Sequence, residues 1–146
     1  MQRRFPAGTQ PTLKEVSDAV REIRHGKGML IVEGEPDCRS AGSFFKNPVV
    51  DAEHFARIEK SSAAQVPSYP AGEGRVKIPA AWLVEHAGFP KGYVLGRTGI
   101  SSRHTLALIN RGGATAADIL ALAKKITLAV QEKFGISLEM EPVVLG

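Results

Sequence analysis

The chain contains a single cysteine, Cys38, and so closes no internal disulfide. That excludes a disulfide-stapled secreted scaffold and agrees with a reduced intracellular compartment. No apolar run approaches the length that crosses a bilayer as a helix. The N-terminal MQRRFPAGTQ carries charge without the apolar stretch of a secretory signal. A cytoplasmic location with no membrane partner is the expectation. The 4 histidines (His25, His54, His86 and His104) show neither H-x-x-x-H nor H-E-x-x-H spacing, and Cys38 has no second ligand at metal-site distance, so no zinc site is expected. No G-x-G-x-x-G follows a strand, and GRTGISS at 96–102 lacks the Lys-Ser/Thr of a phosphate loop. A nucleotide cofactor held wholly by this chain is therefore not indicated. There is no G-x-S-x-G turn, so an esterase-type serine is unsupported. Aromatics are scarce at 6%, and they do not interleave with a basic stripe. The net charge of +4 is spread along the chain, so it does not point to nucleic acid, whose signature would be a steep salt dependence of binding.

What is present fits one soluble globular domain. The 146 residues are 43% hydrophobic and 23% charged, enough to build a core and keep a wet surface. Residues 1–11 read as an extended lead-in, and 12–146 as the domain. PTLKEVSDAVREIRHGKG reads as a helix: Thr12 with Glu15 forms a capping box, Leu13, Val16, Ala19, Val20 and Ile23 share a face, and Gly26 stops it. A short strand is expected within Met29–Val32. Asp51 caps a helix over DAEHFARIEK. Residues 61–76, with two prolines and two glycines, read as a long loop. A helix starts near Pro79 and ends at Gly88. Tyr93–Leu95 and Thr105–Asn110 read as strands, and RGG at 111–113 as a turn. The clearest helix runs through ATAADILALAKKITLAVQEKFG, with Thr115 and Asp118 at its start and Gly135 at its end. ISLEMEPVVL alternates as a half-buried strand would, which puts Glu139 and Glu141 on one face. Without a strict βαβ rhythm, the expected class is α+β, a small mixed sheet covered by helices.

One stretch fits no ordinary element. SAGSFFKNPVV, from Ser40 to Val50, combines small residues, two aromatics, a lysine, an asparagine and a proline. A buried strand has no use for Lys46 and Asn47, and a surface loop has none for Phe44 and Phe45. Asn47 precedes proline and is steered to extended backbone. The mixture describes a rigid corner that presents polar groups from an apolar base, with Ser43 at its centre and Gly42 before it to permit close approach.

The segments SAGSFFKNP, VKIPAAWLVEHAGFPKG, SSRHTLALINRGGATAADILALA and FGISLEMEPVVLG, in that order, resemble the C-terminal domain of the UDP-N-acetylenolpyruvoylglucosamine reductase family over about Thr12 to Gly146. The resemblance implies the reduction of UDP-N-acetylglucosamine enolpyruvate to UDP-N-acetylmuramate in peptidoglycan precursor synthesis, with FAD and NADPH as cofactors of the full-length enzyme. It implies that Ser43 donates a proton to the reduced enolpyruvyl group, after a flavin hydride has added to the alkene carbon distal to the carboxylate. It implies that Glu141, counted back from Gly146, steadies the charge on the substrate carboxylate, as a protonated acid if burial beside an anion raises its pKa. Asn47 and Lys27 match family positions that contact the UDP-sugar, and Tyr69 and His104 resemble further substrate contacts. The sequence departs from the family after Glu141, where Pro142 and Val143 replace the usual valine and arginine. The family's N-terminal flavin-binding half has no counterpart here, so no cofactor is expected on this chain alone, and that half would be its partner. A non-catalytic UDP-sugar-binding or protein-interaction module of the same fold is the alternative function.

Overall fold

The computed structural model describes Phe5 and residues 8–145. Most of the lead-in expected over 1–11 lies outside the described residues, as does Gly146. Helix α1 spans Leu13–Gly26, and Thr12 and Glu15 form the full reciprocal box at its start. It closes one residue beyond the expected stop: Lys27 is the C-cap, and Gly28, at φ 66°, turns the chain so that its N–H reaches the carbonyl of His25. The strand expected at Met29–Val32 does not form, and a one-turn 3-10 helix at Pro36–Cys38 follows instead. Glycines 28 and 34, both at positive φ, bracket that stretch and leave too little extended chain for a ladder.

Strand β1, Ser40–Ser43, leads to β2, Val49–Asp51, and to α2, Ala52–Ser61, whose start is capped by Asp51 accepting from the His54 N–H. The segment read as one long loop contains β3, Tyr69–Pro70, and the beginning of β4, Arg75–Lys77. Helix α3 is Ala80–His86. Strands β5, Val94–Leu95, β6, Thr98–Ile100, and β7, Ala107–Asn110, precede α4, Ala116–Phe134. The α+β class is as expected, but the sheet is divided. One sheet has the order β1-β7-β6-β5 and the other β2-β4-β3, and every pairing in both is antiparallel. No crossover helix links parallel neighbours, which is why no parallel pair arises. Strand β6, unforeseen from sequence, is buried at all three residues, and its glycine and threonine hid it from a search for apolar alternation.

The core lies between the four-stranded sheet, α3 and α4. Leu83 and Val84 from α3, Leu122, Ile126 and Val130 from α4, and Ile100 and Leu108 from the sheet are almost wholly buried. Burying each such side chain contributes roughly 1.5–3 kcal/mol. Phe44 and Phe45 join this core edge to face, their ring centroids 5.4 Å apart. Both aromatics of the unusual stretch are therefore anchors, and the residues on either side of them inherit a fixed position. The final strand expected over Ile136–Leu145 is reduced to one bridge, Phe45 with Met140. Pro142 has no N–H with which to extend that ladder.

Candidate active site

Ser43 closes β1. It lies opposite Ala107 of β7, and the next N–H, that of Phe44, donates to Leu106 O at 2.8 Å. The register shifts between Ser40 and Ser43, where Gly42 stands at φ 85°. That backbone suits glycine and bends the strand end, so Ser43 leaves the sheet at an angle set by the bulge. Ser43 is half-buried, and its hydroxyl has no hydrogen-bond partner among the described residues.

The C-terminal segment returns to this corner. Lys46 N–H donates to Glu139 O and Glu141 N–H donates to Phe44 O, both at 2.9 Å, around the Phe45–Met140 bridge. The backbone of Glu141 thus lies against Phe44, the residue next to Ser43, a proximity no sequence pattern reveals. The Lys46 ammonium closes on the Glu139 carboxylate as an ion pair across the same two segments. This separates the two acids: Glu139 is paired, whereas Glu141 is exposed to solvent.

Asn47 follows directly. Its Oδ1 accepts from the Ala80 N–H at 2.8 Å. Ala80 is the first residue of α3, whose own N-cap position, Pro79, offers no side chain to cap it. Asn47 therefore caps α3 from a distance. With its oxygen turned to the helix, its amide nitrogen is left as a donor on an exposed residue. Tyr69 lies on the second sheet, opposite Lys77, which is in turn opposite Val49 of β2. Directly paired residues share a face, so Tyr69 and Lys77 stand together. Tyr69 is 59% exposed.

Lys27 and His104 form a second group, near the other end of the Ser43 pairing. His104 precedes β7, and its Nδ1 accepts from Leu106 N–H at 3.1 Å, which in the neutral ring leaves the proton on Nε2. Burial first, and then the charges of Lys27 and Lys91, hold its imidazole below the ordinary histidine value. Lys91 went unnoticed in the sequence, where it is one lysine in a Pro-Lys-Gly turn, and only folding brings it within the field of His104. Ser43, Glu141 and Asn47 thus share one corner, His104 joins it through Leu106, Lys27 adds its charge to the field at His104, and Tyr69 connects only through the second sheet. Two other cations of the loops are engaged: Lys46 with Glu139, and Arg97 with Gly113 O at 3.1 Å.

A cleft of about 440 Å³ is lined by Leu95, Gly96, Arg97, Thr98, Asp118 and Ala121 and contains none of the six candidate residues. No cluster of metal-ligating side chains occurs among the described residues, and no described helix is long and apolar enough to cross a membrane.

Residues 35–145 match the family described as UDP-N-acetylenolpyruvoylglucosamine reductase, C-terminal domain. The UDP-N-acetylenolpyruvoylglucosamine reductase of Thermobifida fusca is 53% identical over 145 residues, covering 95% of this chain and 41% of the relative. That of Streptomyces coelicolor is 47% identical over 146 residues, covering 96% of this chain and 38% of the relative. A Corynebacterium glutamicum protein named UDP-N-acetylenolpyruvoylglucosamine reductase 2 is 48% identical over 137 residues, covering 92% and 37%. The chain spans about two fifths of the length of these relatives. On this match and these identities, the chain belongs to the UDP-N-acetylenolpyruvoylglucosamine reductase family and corresponds to its C-terminal domain.

Proposed function

We propose that this chain binds UDP-N-acetylglucosamine enolpyruvate and delivers the proton that completes its reduction to UDP-N-acetylmuramate, a step of peptidoglycan precursor synthesis in the cytoplasm. Ser43 is the proton donor. Once a hydride has been added to the distal alkene carbon from outside this chain, the carbon beside the carboxylate carries enolate character. The Ser43 O–H bond breaks, a C–H bond forms at that carbon, and solvent restores the serine proton. A hydroxyl is a weak acid, and it serves here because the acceptor is strongly basic and the hydroxyl is held in place. Glu141 faces the charge that develops on the substrate carboxylate. Its side chain is exposed on this chain and so free to meet the substrate carboxylate. Asn47 offers its amide N–H, and Lys27 its ammonium, to the diphosphate-sugar. Tyr69 and His104 complete the contacts.

FAD and NADPH belong to the full enzyme in this reading. This chain carries no G-x-G-x-x-G after a strand and no phosphate loop of its own. A flavin-binding partner half holds the FAD instead. The observation that carries the proposal is the pairing of Glu141 N–H with Phe44 O, which brings the two expected reaction residues to one corner. The test is turnover of the enolpyruvyl ether with a relative's flavin-binding half supplied in trans. Ser43→Ala is expected to abolish turnover while leaving substrate binding nearly intact. Unchanged turnover would remove Ser43 from the chemistry, and binding without any turnover in the unaltered chain would favour a non-catalytic module.

A further inference from the structure

Asp37 is an acidic residue that neither the family resemblance nor the mechanism uses. It is only 9% exposed. A buried carboxylate needs several donors to be tolerated. One oxygen of Asp37, Oδ2, collects three: Ser101 Oγ–H at 3.2 Å, Ser102 N–H at 2.9 Å and Ser102 Oγ–H at 2.6 Å. The Ser101 hydroxyl also accepts from Arg103 N–H at 3.1 Å. The Arg103 guanidinium donates to the carbonyl of His25, at the end of α1, and to Glu35, just before Asp37. His25 in turn meets Glu35 at 2.9 Å. Gly28 closes the knot, because a Cβ there would stand 3.4 Å from Asp37 Cβ and 3.5 Å from Ser101 Oγ. Three segments far apart in sequence are thereby joined: the end of α1, the turn that feeds β1, and the 101–105 loop.

Each of these segments carries a residue of the site proposed above: Lys27 ends α1, Ser43 ends β1, and His104 lies in the loop. We propose that Asp37 is a positioning residue, whose hydrogen bonds to Ser101 and Ser102 fix the 101–105 loop, and His104 with it, against the end of α1 that carries Lys27. The inference rests on the reading of this surface as a substrate site, but its geometric content can be tested without ligand. The groups around His104 are Lys27 from α1, Lys91 from the turn before β5, Arg103 and the Thr105–Glu85 hydrogen bond on either side of it. Of these, Arg103 is part of the knot, and Lys27 lies in the chain between His25 and Gly28, which both meet it.

The experiment is NMR titration of the His104 ring in the unaltered chain and in Asp37→Ala, Asp37→Asn and Ser102→Ala, followed by titration of each with UDP-N-acetylglucosamine. In Asp37→Ala the loop is released, and the His104 midpoint rises toward the ordinary value because burial and the Lys27 field both weaken. UDP-N-acetylglucosamine then binds on the order of tenfold more weakly, as expected for a misplaced contact group. Asp37→Asn keeps a carbonyl acceptor and restores most of both. Ser102→Ala removes one bond from an exposed residue and gives a smaller shift in the same direction. If Asp37→Ala fails to fold, Ser102→Ala decides alone. A folded Asp37→Ala, or in its absence a Ser102→Ala, with an unchanged His104 midpoint overturns the positioning role. If the unaltered chain does not bind UDP-N-acetylglucosamine, the substrate-site reading fails, whereas the His104 midpoints still judge Asp37.

Discussion

Asn47 combines two tasks that one pair of substitutions can separate. Its Oδ1 is the side-chain acceptor for the first N–H of α3, and Ala80, which bears that N–H, is fully buried. Removing a helix cap costs about 0.5–2 kcal/mol, and a buried donor without a partner about 1–3 kcal/mol. Asn47 is itself exposed, so water reaches the neighbourhood and the lower part of both ranges applies. Asn47→Ala is therefore expected to lose about 1–2 kcal/mol, or about 3–6 °C in Tm for a domain of this size. Helix α3 has only seven residues yet contributes Leu83 and Val84 to the core, so a frayed start is felt there. Asn47→Asp retains an acceptor and adds a negative charge at a helix N-terminus, where it is favourable. It should melt within about 1 °C of the unaltered chain. The same change removes the amide donor and sets a carboxylate against an anionic ligand, so binding of UDP-N-acetylglucosamine should fall sharply. Thermal unfolding followed by circular dichroism, together with isothermal titration of the ligand, reads both effects. An Asn47→Asp chain as unstable as Asn47→Ala would refute the capping argument, and one that binds as well as the unaltered chain would refute the role in recognition.

Three further outcomes follow from particular contacts. Lys46→Ala breaks a surface ion pair whose partners are 51% and 71% exposed, so stability should change by less than about 1 kcal/mol. The amide signals of Met140 and Glu141 should nevertheless move, and a fall in stability above about 2 kcal/mol would show the pair to be worth more than exposure permits. Gly99→Ala sets a Cβ 2.6 Å from the carbonyl oxygen of Tyr93, which already accepts from Ile100 N–H at 2.8 Å. A loss of about 1–3 kcal/mol in urea unfolding is expected, and a neutral result would mean that β5 can shift freely. The His104 imidazole is held below its ordinary value, so the folded chain binds fewer protons than the unfolded one between the two pKa values. Stability should accordingly be full above the ordinary histidine pKa and decline as pH falls toward the folded value, and His104→Gln should flatten that part of the urea-midpoint profile.

The sequence by itself determined the features that depend on neighbours in the chain. The capping boxes of Thr12 with Glu15 and Thr115 with Asp118, the Asp51 cap and the left-handed Gly135 that ends α4 were all legible, because each is satisfied within a few residues. The corner from Ser40 to Val50 was legible as an anomaly, since Phe44 and Phe45 demand burial beside residues that resist it. What stayed hidden depended on distant partners. Strand β6 exists because β5 and β7 flank it, not because Thr98, Gly99 and Ile100 prefer a strand. The C-terminal alternation promised a strand, yet a ladder needs N–H groups and Pro142 ends the supply after one bridge. Asn47 looked like a ligand contact alone, and only the fold shows its oxygen engaged by Ala80. The approach of Glu141 to Ser43's neighbour, the field of Lys91 on His104 and the burial of Asp37 among two serines all arise from pairings between remote segments. Local physics writes caps and turns into adjacent residues, whereas the site is assembled by long-range hydrogen bonds and shared burial, which only the tertiary structure decides.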